Sequence, residues 1–273
     1  MKKKLTVIAL AACLVAVIGF ATGCGSKQKS ALDDGVLQIG TNAEYTPFEY
    51  KDKNNKLVGF DVDLGRALAK KMGVKAKWTN TSFDGIFNGL NSGQYECIIA
   101  GVSNTDKRQK SFAMSDSYLG NGVVIVSPAG GAQATDIKQL DGKKVGVQLE
   151  TTADYAAKAF KKDGNKMTLK EFDSMIDAFT ALRGGQIDYI MTDEPVANFY
   201  VAQQPNTYKV SSSTLSNEPV AVVCRKQDTA LRDKINDALK ALKKDGTYSK
   251  LTKKWFGKDL TRQKINNKIK TYD

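Results

Sequence analysis

The 273-residue chain contains no histidine, which removes histidine-based catalytic triads and most zinc chemistry at once. Cysteine is scarce: of four in all, only Cys97 and Cys224 lie beyond residue 24. Two cysteines do not make a disulfide framework in a domain of this size. Both sit inside apolar, strand-like runs (95–100 and 219–224), so buried free thiols are expected. After the first two dozen residues no apolar stretch is long enough to cross a bilayer. Basic residues outnumber acidic ones, 41 to 29, for a net charge of +12. The lysines are nevertheless interspersed with acids, without the clustered stripe or stacking aromatics of a nucleic-acid surface, so no nucleic-acid partner is expected. An adjacent anionic membrane is the simpler reason for the charge. No cofactor and no metal site is expected.

The N-terminus explains how the chain would come to lie beside a membrane. Lys2, Lys3 and Lys4 precede an apolar core over 5–20, followed by the small residues Ala21, Thr22 and Gly23 and then Cys24. A basic start, a short apolar segment and small residues before a cut describe a secretory signal over 1–23. Ala-Thr-Gly-Cys resembles a bacterial lipobox, with Cys24 as the diacylated residue, although Ala21 stands where leucine is usual. An uncleaved anchor is the alternative, and Gly19 and the small residues before Cys24 count against it. Residues 24–35 then read as a lipidated, polar tether.

The remaining length, about 250 residues, suffices for two lobes, each with its own core. Strand-like and helix-like segments alternate: strands over 36–40 and 75–79, an amphipathic helix over 61–72 ending at Gly73, and a helix opening at Ser82-Phe83-Asp84-Gly85. That alternation predicts a parallel α/β sheet with ligands at the carboxyl ends of its strands. The most informative stretch follows the buried run 95–99. Ala100-Gly101-Val102-Ser103-Asn104-Thr105-Asp106-Lys107-Arg108 carries a glycine for close backbone approach, hydroxyl donors and an arginine fork, the parts of an anion clamp. An ordinary strand-to-helix turn with a surface arginine has the same composition.

Several motifs, in order along the chain, resemble one family. Gly40-Thr41-Asn42-Ala43-Glu44-Tyr45-Thr46-Pro47-Phe48-Glu49-Tyr50, Val58 to Leu64 and Ala100 to Arg108 look like the polar amino-acid-binding proteins of ABC importers, the solute-binding proteins of family 3. The similarity continues through Asp141 to Val147, Thr192-Asp193-Glu194-Pro195, Gly246-Thr247-Tyr248 and Lys253 to Gly257. The resemblance implies an α/β, two-lobed periplasmic-binding-protein-like fold of type II, with the ligand in the cleft between lobes. Lobe 1 would comprise 36–118 plus 222–257, lobe 2 would comprise 123–218, and 258–273 would be a C-terminal tail, loosely ordered. Crossings at 119–122 and 219–221 would act as the hinge, with Gly120 and Gly122 suited to backbone adjustment.

The resemblance also implies roles. Arg108, with the N–H and hydroxyl of Ser103, would take the ligand α-carboxylate, and the N–H of Thr152 at a helix start would be a second donor. Asp193 would receive the α-ammonium, with the backbone at Ala100-Gly101 beside it. Tyr45 and Phe83 would sandwich the ligand side chain. Asn42 stands where many relatives that bind basic amino acids carry aspartate, and Gln148 occupies another variable pocket position. The amide pair fits glutamine, whereas a cation held by the aromatics and a nearby glutamate (Glu44 or Glu150) fits arginine or lysine. Partners implied are an L-amino acid, ABC permease and ATPase subunits, and the membrane through the lipid anchor, with a monomeric chain at the outer face of the cytoplasmic membrane. An amino-acid sensor and a small-molecule dehydratase share the fold and stand as the rival readings. The second would need Glu44 or Glu150 as general acid or base.

Overall fold

The computed structural model describes residues 34–266 and 270–271. The signal segment 1–23, Cys24 and most of the tether lie outside the described residues. Among the described residues no helix is long and apolar enough to cross a membrane.

The chain first runs through β1 (Val36–Thr41), a small three-stranded sheet of β2 (Glu44–Tyr45), β3 (Glu49–Lys51) and β4 (Leu57–Val58), then α1 (Phe60–Lys71), β5 (Lys75–Asn80), α2 (Ile86–Asn91), β6 (Cys97–Ile98), α3 (Asp106–Ser111) and β7 (Phe112–Met114). It crosses over and forms β8 (Val123–Pro128), β9 (Lys144–Gln148), α4 (Thr152–Lys162), β10 (Thr168–Phe172), α5 (Met175–Arg183), β11 (Tyr189–Asp193), α6 (Glu194–Gln203) and β12 (Tyr208–Val210). It then returns as β13 (Val223–Arg225), α7 (Thr229–Lys244) and α8 (Thr247–Phe256). Two five-stranded sheets result, ordered β5-β1-β6-β13-β7 and β10-β9-β11-β8-β12. This is a two-lobed α/β fold.

The sheets are mixed, not wholly parallel as the alternation predicts. β1 pairs in parallel with β5 and β6, and β9 with β10 and β11, but β13 runs antiparallel to β6 and β7, and β8 antiparallel to β11. The physical reason is the double crossing. A strand that enters a sheet from the other lobe comes in at the cleft, where the parallel strands end, and so runs opposite to them.

Local chemistry accounts for the elements that frame the cleft. α1 starts after Gly59, whose φ of +140° and approach to the Phe48 carbonyl (2.1 Å from a hypothetical Cβ) admit only glycine. Asp61 and Asp63 occupy its first turn and Lys70 and Lys71 its last, matching the helix dipole. Phe60, Val62, Leu64 and Leu68 are buried, each worth about 1.5–3 kcal/mol.

The C-terminal part forms two helices, α7 and α8, broken at Gly246 with φ +80°, and α8 ends at Gly257 with φ +70°. The tail is not loose over its described residues. The Gln263 carboxamide oxygen accepts from the Gly120 N–H at 3.0 Å, and Lys270 exchanges backbone bonds with Asn217 at 3.0 and 3.1 Å. The tail thus straps the crossing. Gly122 is small for packing, since a Cβ there would lie 2.4 Å from the Ser216 carbonyl oxygen.

Candidate functional site

The 100–108 turn is built by three constraints. Gly101 adopts φ +58°, and its N–H donates to Asp61 Oδ2 at 2.6 Å; a Cβ would lie 3.1 Å from the Tyr45 ring. Thr105 caps α3, its hydroxyl accepting from the Arg108 N–H at 3.1 Å. Arg108, only 8% exposed, donates through Nη1 to the Ser103 carbonyl at 3.0 Å, with its guanidinium carbon 5.8 Å and 5.1 Å from the Phe83 and Phe87 ring centroids. The aromatic faces and the carbonyl hold the guanidinium in one orientation before any anion arrives. Gly101→Ala is expected to lower stability by about 1–3 kcal/mol, because alanine is strained in the left-handed region and would press on Tyr45. Chemical denaturation checks it as a lower transition midpoint at an unchanged slope.

Behind this turn lies a buried acid pair. Glu49 and Asp61 are both fully buried, and Asp61 Oδ2 also accepts from the Tyr118 hydroxyl at 2.8 Å. Burial pushes Asp61 up to about 7, against the pull of the Gly101 N–H and Tyr118; burial and the neighbouring Asp61 push Glu49 well above the usual carboxylate range. Neither Glu49 carboxyl oxygen has an N–H or O–H donor in the described structure. The Gly101 N–H and the Tyr118 hydroxyl converge on Asp61 Oδ2, so this carboxyl anchors the turn from behind.

In the second lobe α4 begins at Thr152. The Thr151 hydroxyl caps it, accepting from the Asp154 N–H at 3.3 Å and donating to the Gln148 carbonyl at 2.7 Å. Asp193 ends β11 and starts α6, where a strand delivers its last side chain to the cleft.

Between the lobes is a nearly closed cleft, with about 10 Å³ of free volume. Tyr45, Phe83, Gly101, Ser103 and Arg108 face it from the first lobe, and Gln148, Thr151, Thr152 and Asp193 from the second. Ala100 and Asn42 do not line it. Ala100 is 1% exposed and packs in the core beneath the turn. The Asn42 side chain donates to the Thr81 carbonyl at 3.0 Å and accepts from Gln148 Nε2 at 3.0 Å, while the same Nε2 donates to the Asp173 carbonyl at 2.9 Å. The two amides therefore bind each other across the lobes. Gln148 Oε1 is left as a buried acceptor with no partner in the described structure. Glu44 is exposed, and Glu150 accepts from the Tyr155 hydroxyl, so neither stands open over the cleft.

Two polar residues at this cleft were not read from the sequence. Thr151 carries only the signal of a hydroxyl before a helix start, which capping alone explains. Glu218, 1% exposed, lies among Ser216, Thr152, Arg108 and Ser103, which pull its carboxyl down against the larger upward push of burial. Its one sequence signal is position: an acid directly before Pro219, in the segment leading into the return crossing. Glu218 also raises Asp193, which burial already pushes up, so that Asp193 reaches about 7 despite the opposing effects of Asn121, the Tyr45 hydroxyl and Arg108. At the cleft itself one carboxyl, Asp193, stands with one guanidinium, Arg108, and Glu218 lies near both without lining it.

This arrangement offers a fixed cation, a helix N-terminus and hydroxyls at one end, and an acid at the other. Burying both charges of a zwitterion requires a partner for each, and the two partners come from different lobes.

The profile of the bacterial extracellular solute-binding proteins, family 3, matches residues 37–258. The ABC transporter arginine-binding protein 1 of Escherichia coli (strain K12) is 31% identical over 258 residues, covering 93% of this chain and 99% of that protein. An ancestral arginine-binding protein, solved with arginine and with glutamine, is 44% identical at TM-scores of 0.78 and 0.77, covering 82% of this chain and 99% of that one. An ancestral amino acid-binding protein, a precursor of cyclohexadienyl dehydratase, is 38% identical at a TM-score of 0.76, covering 83% of this chain and 97% of its own.

Proposed function

Since the chain belongs to the bacterial extracellular solute-binding proteins of family 3, we propose that it captures a polar L-amino acid between its lobes and delivers it to the permease and ATPase subunits of an ABC importer. The observation that carries this reading is the meeting of Arg108 and Asp193, both buried, from opposite lobes at one cleft. Arg108, Ser103 and the Thr152 N–H would take the carboxylate. Asp193 and the Gly101 carbonyl would take the ammonium, and closure completes the site.

The proposed ligand is of the basic class, arginine or lysine. Two features favour it: the planar faces of Tyr45 and Phe83, and the unpaired Gln148 Oε1, which accepts but cannot donate. Arginine is the ligand of the Escherichia coli relative and one of the two ligands of the ancestral one. Glutamine and cystine are the alternatives: the ancestral protein also took glutamine, and a curated relative binds L-cystine. We read the chain as a binder and not an enzyme. The dehydratase precursor among its neighbours keeps that second reading in view, and turnover of a prephenate-like acid would favour it. We also propose that Cys24 carries a lipid that holds the chain at the outer face of the cytoplasmic membrane. An amino-acid sensor would use the same closed lobes to signal to a membrane receptor.

Thermal unfolding against a panel of L-amino acids, with ornithine, citrulline and cystine included, tests the class. Ligand at about a thousand times its Kd stabilises by about 4 kcal/mol. A midpoint rise confined to arginine, lysine and ornithine is expected, and a rise with none of the panel would overturn the reading. Asn42→Ala is expected to free Gln148 and change the ranking within the panel while leaving some binding, whereas an unchanged ranking would remove the Asn42–Gln148 pair from specificity.

A further inference from the structure

Cys97 and Cys224, which stand as free buried thiols in this structure as the sequence predicts, are direct cross-strand partners. In the antiparallel pairing of β6 with β13, Cys224 stands opposite Cys97 and Val223 opposite Ile98. The two cysteines point to one face, where both join the core with Leu37, Ile39, Ile235 and Leu239, while Ile98 and Val223 belong to the core on the other face. Directly opposed residues in an antiparallel pair have Cα atoms about 4.5–5.5 Å apart, inside the range of about 4.4–6.8 Å that a disulfide accepts. The protein's family is extracellular, a setting in which disulfides form and persist.

We propose that Cys97 and Cys224 form a disulfide bridging β6 and β13. The oxidant is a low-molecular-weight or protein disulfide met outside the cytoplasm. One cysteine thiolate attacks it, releasing the first reagent thiol as a mixed disulfide forms. The second cysteine thiolate then displaces the other reagent thiol, and the Sγ–Sγ bond forms. Two cysteines are oxidised by two electrons, one reagent disulfide is reduced to two thiols, and the cysteine protons leave to solvent or to the reagent thiolates.

The position of the bridge gives it a purpose. β6 precedes the outbound crossing and β13 follows the return crossing, so the loop it closes contains the whole of the second sheet. The bond would join the two separated segments of the first lobe irrespective of the second. It would also tie together the strand that feeds the 100–108 turn and the strand that follows Val220 and Ala221. Timing follows from burial. Both side chains are fully buried, Cys97 with its sulfur against the Gln38 carbonyl. Burial, together with the nearby Cys224, raises the Cys97 thiol, and burial raises that of Cys224 to about 12, so neither is a nucleophile once the lobe is packed. Exchange therefore happens as the lobe assembles, before α7 covers the strands, and the finished bond is shielded from reductant.

The test is to refold the full chain from denaturant in glutathione buffer containing the oxidised form, alkylate it without reductant, and map its peptides by mass. A Cys97–Cys224 linked peptide is expected. The oxidised protein should melt about 5–15 °C above the same protein refolded with reductant. After a protease cut within residues 123–210, its first-lobe fragments should stay together on a non-reducing gel. Folded protein with both cysteines alkylated after unfolding would overturn the proposal. So would a linked form that melts at or below the reduced one, because the register would then not accommodate the bond.

Discussion

Arg108→Ala is expected to weaken binding of every amino-acid ligand by about 30-fold to several thousand-fold, the cost of about 2–5 kcal/mol for truncating one member of a desolvated charge pair. The guanidinium is held by the Ser103 carbonyl and the rings of Phe83 and Phe87, so little ordering remains to be done when a carboxylate arrives. Its removal also takes away the cation that pulls the Glu218 carboxyl down. Arg108→Lys should recover only part of the loss, since an ammonium cannot make two parallel bonds to one carboxylate. Titration calorimetry reads both variants, and a melting curve separates lost binding from lost folding. The α3 cap at Thr105 does not involve the guanidinium and is expected to survive.

Binding is also expected to be lost as pH falls below 7, by about tenfold per pH unit while Asp193 titrates. The sign follows from what each partner requires. An α-ammonium needs an ionised Asp193, but burial and the Glu218 carboxyl raise that group to about 7, where an exposed aspartate would titrate near 4. Capture of a cation therefore releases a proton below pH 7 and releases none well above it. The consequence for folding is opposite. A raised carboxyl contributes stability that is fully present below pH 4 and is lost as pH rises through 7, and Asp61 acts in the same direction. Asp193→Asn should bind weakly and with a flatter pH profile. Affinity measured from pH 5 to 9 checks this, and a wild-type profile as flat as that of the variant would remove Asp193 from the ammonium site.

How much of this was legible in the sequence depended on whether a residue's role is local. The 100–108 turn could be read because its glycine, hydroxyls and arginine act within nine residues, and the structure brings Gly101, Ser103 and Arg108 to one wall of the cleft. Asp193 could be placed through the family resemblance, consistent with strands of an α/β sheet ending at the cleft. Asn42 was read as a pocket residue because sequence cannot reveal that its amide is consumed by Thr81 and Gln148, the second of them 106 positions away. Glu218 is hidden for the same reason: its position before Pro219 is a weak signal, and only the crossing of two distant segments buries it. The antiparallel direction of β13 and β8 likewise follows from the double crossing and not from any local propensity. The hold of Gln263 on Gly120 was hidden because a polar tail has no pattern that marks its partner.

The most direct test of the central claim compares one ligand with its own decarboxylated form. Whichever amino acid raises the melting midpoint most is titrated into the protein beside the amine that lacks its carboxylate, for arginine the pair L-arginine and agmatine. One-to-one binding of the amino acid, with the amine at least a hundredfold weaker, is the predicted result. Equal affinity for the two would contradict the assignment of Arg108, Ser103 and Thr152 as the anchor on which the cleft closes.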